Sequence, residues 1–185
     1  MMAKLTPVDL SGYRAFIDRV DQFCHKISSD YASEIACKAG CSRCCLHISL
    51  SPIEAAVVAE ALAALPRETQ TLLAGRSQSP DDGPCPLLVD DLCVIYQSRP
   101  LICRTHGLPL LVESDGVKKV DFCNDNFQGL AALPGSAVIN LETLNTALAG
   151  LNGRFAADSL QGADPCARVT IAEIIKSVIA SEDKI

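Results

Sequence analysis

The stretch Cys37-Lys38-Ala39-Gly40-Cys41-Ser42-Arg43-Cys44-Cys45 constrains this chain more than any other feature. In an unbroken helix of 3.6 residues per turn, all four thiols would lie on one face, within about 100°. Cys37 and Cys44 would nevertheless stand about 10 Å apart along the axis, at 1.5 Å per residue. Sulfurs that share one tetrahedral zinc sit roughly 3.8 Å apart, given Zn–S near 2.3 Å. Either the chain turns at Ala39-Gly40, which Gly40 permits, or the group serves more than one metal. The adjacent pair Cys44-Cys45 presses the same way, because neighbouring side chains point in different directions on a helix or a strand. Two metals, or one polynuclear cluster, use such a pair more naturally than one compact site.

Four further cysteines, Cys85, Cys93, Cys103 and Cys123, follow at long spacings and must come from separate turns. Four plus four thiols matches two tetrahedral sites, or one cluster with extra thiols. A disulfide framework is the competing reading of ten cysteines, and scattered core thiols a third. At 185 residues the chain is too long to depend on staples, and the expected compartment is reducing. Metal is the preferred reading. Cys24 falls on an apolar helical stripe and reads as a small buried hydrophobe. Cys166, isolated after a Gly/Asp/Pro turn, reads as a spare thiol.

Composition narrows the class. Hydrophobic residues make up 49% and charged residues 21%, the mix of a globular protein, with no Trp and 4% aromatics. The core must come from Leu, Ile, Val and Ala. The formal net charge is -6 and no basic run appears, so the footprint of a nucleic-acid binder is missing. No apolar run approaches the roughly 18 residues of a membrane span, and the first residues show no apolar leader or cleavage site. The chain is expected to be cytoplasmic, with a metal ion as its partner, no nucleic acid and no membrane, and no protein partner indicated.

Along the chain, residues 8–36 read as one long amphipathic helix, with Leu10, Tyr13, Ile17, Val20, Cys24, Ile27, Tyr31 and Ile35 in steps of three and four. Ser51-Pro52-Ile53-Glu54 opens a second helix with a capping box and runs to Leu65. Pro66 starts a short third helix ending near Gly75. Residues 77–84 form a loop of turn formers. Leu87 to Tyr96 reads as a small β-hairpin turning at Asp90-Asp91. Ser98-Arg99-Pro100 caps a short helix carrying Cys103 and Arg104. A second hairpin is expected from Leu108 to Phe122, turning at Ser114-Asp115-Gly116. Helices return over 141–182, with Leu141 to Leu160 periodic and a second capping box at Thr170-Ile171-Ala172-Glu173. The expected fold is a single domain, mainly α with small β-hairpins: an irregular helical bundle around a cysteine-lined metal-binding middle segment, 37–123.

Other residues near the cysteines have candidate roles. Arg99 and Arg104 could offset the charge of near -2 on a four-thiolate zinc site and donate hydrogen bonds to sulfur; the alternative is two surface arginines. His47 and His106 could each replace a cysteine as ligand, although a loop histidine is more often exposed or structurally hydrogen-bonded. His25 reads as surface. No dinucleotide or phosphate-binding glycine loop appears, and no Gly-x-Ser-x-Gly or His-Glu-x-x-His appears either. Cys37, Cys41 and Cys44 match the Cys-x3-Cys-x2-Cys triplet of radical S-adenosylmethionine enzymes, but the expected barrel of alternating strands and helices is absent.

The combination of CKAGCSRCC (37–45), Cys85, CVIYQSRPLICR (93–104) and Cys123 resembles the YkgJ-like cysteine-cluster family, a zinc- or iron-chelating domain. The resemblance spans roughly residues 37–123. It implies that Cys37, Cys41, Cys44, Cys45, Cys85, Cys93, Cys103 and Cys123 form a metal site holding zinc or iron, the latter also as an iron–sulfur cluster. Family members have carried the label of iron–sulfur oxidoreductases, and a similar domain occurs in flagellin lysine methylases. The expected function is therefore thiolate chelation of zinc or iron. The alternatives are an iron–sulfur protein in electron transfer or redox sensing, and a protein-modifying enzyme related to those methylases. No reaction follows from the residues themselves.

Overall fold

The structure, a computed structural model, describes residues 9–78, 83–159 and 164–182. It is mainly helical with small sheets. The first helix, α1, spans Ser11–Asp30 and buries Tyr13, Ile17, Val20, Cys24 and Ile27. The apolar stripe is thus the inner face, and Cys24 is packed in it as expected. The helix is shorter than the periodicity indicates. It stops at Asp30, and a single 3-10 turn, Ala32–Glu34, follows. Tyr31 and Ile35 still pack against the core, so a broken helix keeps the periodic contacts. The expected start at residue 8 lies outside the described residues.

The second helix, α2, covers Pro52–Ala63, and Glu54 at its third position closes the expected capping box with Ser51. The third, α3, covers Arg67–Arg76. The expected 77–84 loop lies partly outside the described residues. The first hairpin joins β2 (Leu88–Val89) to β3 (Leu92–Cys93), pairing Leu88 with Cys93 and Val89 with Leu92. Its turn residues Asp90 and Asp91 both have positive φ, 50° and 60°, as a tight two-residue turn demands. A short helix, α4, follows at Leu101–Thr105. The second hairpin pairs β4 (Leu110–Ser114) with β5 (Val117–Asp121) across Asp115-Gly116.

Two pairings were not visible in the sequence, since each joins distant segments. Ser49–Leu50 (β1) pairs antiparallel with Val169–Thr170 (β7). Ile139–Asn140 (β6) runs parallel to β4, with Leu110 opposite Ile139. Two helices follow those strands directly, α5 at Leu141–Ser159 and α6 at Ile171–Glu182. Asn140 Oδ1 accepts from Thr143 N at the start of α5. At the start of α6, Glu173 Oε2 accepts from Thr170 N, and Glu173 N donates to Thr170 Oγ1.

Helix α2 is the divider of the fold, packing on both α5 and α6. Its Ile53 and Val57 join one apolar cluster with α1, Leu101, Leu110 and Phe155. Its Val58 and Leu62 join a second with Leu73, Leu87, Ile95, Ile171 and Ile175. Buried Asn152 locks α5 to this divider, accepting from Ile53 N at 3.0 Å and donating to Pro165 O at 2.7 Å. Glu54 does the same for α4. Its Oε1 accepts from Leu101 N at 3.0 Å, while Oε2 accepts from Ser51 Oγ at 2.8 Å.

Candidate metal centre

All ten cysteines are free thiols. The 37–45 segment is not a helix. Gly40 takes φ +85°, Cys41 N donates to Lys38 O, and Cys45 N donates to Ser42 O. Two successive turns thus replace the helix that would have kept Cys37 and Cys44 apart. The break falls at Ala39-Gly40, where only a glycine adopts such a φ without strain.

Other segments fold onto these turns. Cys85 N donates to Cys45 O at 2.9 Å, and Leu46 bridges to Pro84. Ser42 Oγ donates to Asp91 Oδ1 at 2.6 Å in the hairpin turn. Arg43 pairs with Asp125, two residues past Cys123. Gly107 lies against Cys37. A Cβ added there would stand 3.2 Å from Cys37 Sγ and 3.6 Å from Cys123 Cβ, and φ at Gly107 is +89°. The four segments bearing the eight cysteines are therefore drawn together.

Asn126 organises one side of the meeting point. Fully buried, it accepts from Ala36 N at 2.9 Å, donates to Gly107 O at 2.8 Å and donates to Cys37 Sγ at 3.3 Å. Sequence reasoning missed it. Its only signal was a polar residue three positions after Cys123. Phe127, which follows, holds φ +58° and packs edge-on to Tyr31 and Phe122.

The arginines divide their work. Arg104 has a side chain only 6% exposed and pairs with Asp21 at 2.5 Å. It also donates to Arg99 O and Gln97 O. It fastens the cysteine-bearing α4 segment to α1, and none of these bonds goes to sulfur. Arg99 stacks over the Tyr96 ring, 3.6 Å from its centroid, and donates to Cys103 O. Its charge favours the thiolate forms of Cys45, Cys93 and Cys103.

Burial pushes most of these thiols up. Cys103 rises to about 12 and Cys85 to about 11, both chiefly through desolvation. Cys37, Cys44, Cys45 and Cys93 are raised for the same first reason. Backbone N–H groups counter this at two positions, Leu87 donating to the Cys85 sulfur and Ile95 to the Cys93 sulfur. Such i to i+2 donors stabilise a thiolate. Among the described residues, no group of three or more Cys, His, Asp or Glu side chains already stands in an arrangement that could hold a metal ion. The donors fit a thiophilic metal by chemistry, but they neighbour one another without forming a finished cage.

His47 Nε2 accepts from Ala172 N, at the start of α6. His106 is exposed at the end of α4, and His25 is exposed on α1. Cys166 is exposed as well. An open cleft of about 630 Å³ between β4 and α5 is lined by Leu111, Glu113, Asn145 and neighbours, and by no cysteine.

The architecture is that of a mainly helical protein with small sheets, carrying a cysteine-rich segment. Residues 36–124, just under half of the chain, match the model of the family described as "CxxCxxCC: putative zinc- or iron-chelating domain". Comparison with curated proteins and with solved structures found no match. No helix among the described residues is long and apolar enough to cross a membrane.

Proposed function

We propose that this protein chelates zinc or iron in the cytosol through the thiolates of Cys37, Cys41, Cys44, Cys45, Cys85, Cys93, Cys103 and Cys123, within a single folded domain. One observation carries the reading: the turns at 37–45, the segment of Cys85 and the hairpin that carries Cys93, and the loop around Cys123 are joined by direct hydrogen bonds and an ion pair. Thiols from remote positions are thereby held within each other's field, and the N–H donors and Arg99 favour their charged form. When bound, the metal would neutralise the thiolates and cross-link four segments. Its binding free energy would then be folding free energy. Elemental analysis of anaerobically purified protein, with metal and sulfide counted per chain, tests this. Stoichiometric zinc or iron supports it, and metal-free protein after loading and desalting overturns it.

An iron–sulfur centre is the second reading, favoured by all-cysteine donors and by the adjacent Cys44-Cys45 pair. It requires visible absorption and acid-labile sulfide in the same anaerobic sample. Colourless protein carrying zinc and no sulfide rejects it.

A further inference from the structure

The eight thiols do not divide as the sequence spacing divides them. Cys37 has Cys123, Cys41 and Cys44 as its sulfur neighbours. Cys45, Cys85, Cys93 and Cys103 neighbour one another instead. Backbone geometry draws the same line. Gly107 and Asn126 fix Cys37 beside Cys123, and Arg43 pairs with Asp125 to draw the 41–44 turn toward that loop. On the other side, Cys85 N bonds to Cys45 O, and Val94 N bonds to Leu87 O. The two sets touch where Cys45 faces Cys44 and Cys41.

The sets also differ in surroundings. The two fully exposed thiols, Cys37 and Cys44, both fall in the first set, whose Cys41 and Cys123 are partly buried, as are Cys45, Cys85, Cys93 and Cys103. Cys85 and Cys93 pack against the second apolar cluster, and Cys103 rides on α4, which Glu54 and Arg104 hold in place.

Building on the thiolate-chelation reading, we propose that the cluster is two unequal four-thiolate centres. An inner, structural one comprises Cys45, Cys85, Cys93 and Cys103. An outer, exchangeable one comprises Cys37, Cys41, Cys44 and Cys123. The adjacent cysteines go to different metals, which relieves the backbone conflict of placing both on one. The inner metal joins α4 to the hairpin and the second core. The outer metal lies under solvent-exposed turns and is the one a chelator or an acceptor thiol reaches first.

The test uses the wild-type, zinc-loaded chain. A chelator is added, and free thiols are trapped with iodoacetamide at successive times and located by peptide fragmentation. Cys37, Cys41, Cys44 and Cys123 are expected to label together, about tenfold faster than the other four, the ratio that about 1.4 kcal/mol of added local protection produces. The informative pair is Cys44 and Cys45, adjacent in sequence and expected in opposite phases. Labelling of both in one phase overturns the division and points to a single polynuclear cluster. A second measurement is zinc content of Cys37→Ser and Cys123→Ser, expected to fall from about two to about one per chain with helical circular dichroism retained. Content of about two, or of zero in a chain that stays helical, overturns it. Wild-type protein that retains no zinc or iron overturns the chelation reading itself, a result separate from either labelling pattern.

Discussion

Asn126 donates a hydrogen bond to the sulfur of Cys37, 3.3 Å away and 89 positions earlier in the chain. The same amide satisfies Ala36 N and Gly107 O. It thus fixes the entrance to the first cysteine turns, the glycine beside them and the loop after Cys123.

Asn126→Ala should leave the C=O of buried Gly107 without its partner, at about 1–3 kcal/mol, while the N–H of exposed Ala36 can turn to water. A loss of roughly 1–3 kcal/mol is expected in urea unfolding of the metal-loaded chain, with weaker metal retention. A change under about 0.5 kcal/mol, within the range of ordinary surface substitutions, would show that Asn126 organises nothing.

Gly107→Ala tests the other wall. The left-handed φ costs an alanine about 1–2 kcal/mol, and the new methyl would press on Cys37 Sγ at 3.2 Å. Lower thermal stability and easier alkylation of Cys37 are expected together. Unchanged alkylation would mean that the thiol is not held there.

Arg104 and Arg99 should behave differently. Arg104→Ala removes a buried guanidinium from Asp21 and two carbonyls. Breaking a buried pair costs about 3–5 kcal/mol, but Asp21 is 44% exposed, so about 2–3 kcal/mol is expected. Arg99→Met should leave the melting temperature near wild type and weaken metal affinity, since its charge faces Cys45, Cys93 and Cys103. Competition titration with a chromophoric chelator reads the second effect. Equal losses of stability in both variants would contradict this division of labour.

The pH response follows from the raised thiols. Cys85 and Cys103 have folded values of about 11 and about 12, above the ordinary 9.0. Their protonated forms are favoured in the metal-free fold. The stability they contribute is fully present below about pH 9 and is lost as pH rises through their folded values. Metal-free protein should therefore have a lower urea midpoint at pH 10.5 than at pH 8. Metal uptake must displace these protons, so affinity should rise with pH and proton release should be measurable in weak buffer. Metal uptake without proton release would exclude the buried thiols as ligands.

Much of the fold was legible because it is local. The α1 stripe, the two capping boxes, both hairpins with their aspartate and glycine turns, and the break at Gly40 each depend on residues a few positions apart. The early end of α1 was not, because Tyr31 and Ile35 keep their core contacts without helical geometry. Nor were the β1–β7 and β4–β6 pairings, which need partners 119 and 29 residues away; nothing in Ser49-Leu50 alone specifies Val169-Thr170.

The same boundary runs through the cysteines. The sequence by itself determined that an unbroken helix could not bring Cys37 and Cys44 to one zinc, that Cys24 belongs to a buried helical face, and that Cys44 and Cys45 cannot easily serve one compact site. These follow from helical period and side-chain direction. Only the tertiary structure decided which thiols are neighbours: Cys123 stands with Cys37, and Cys45 with Cys85. That choice depends on hydrogen bonds and ion pairs between segments tens of residues apart, and spacing along a chain carries no information about contacts made by its return.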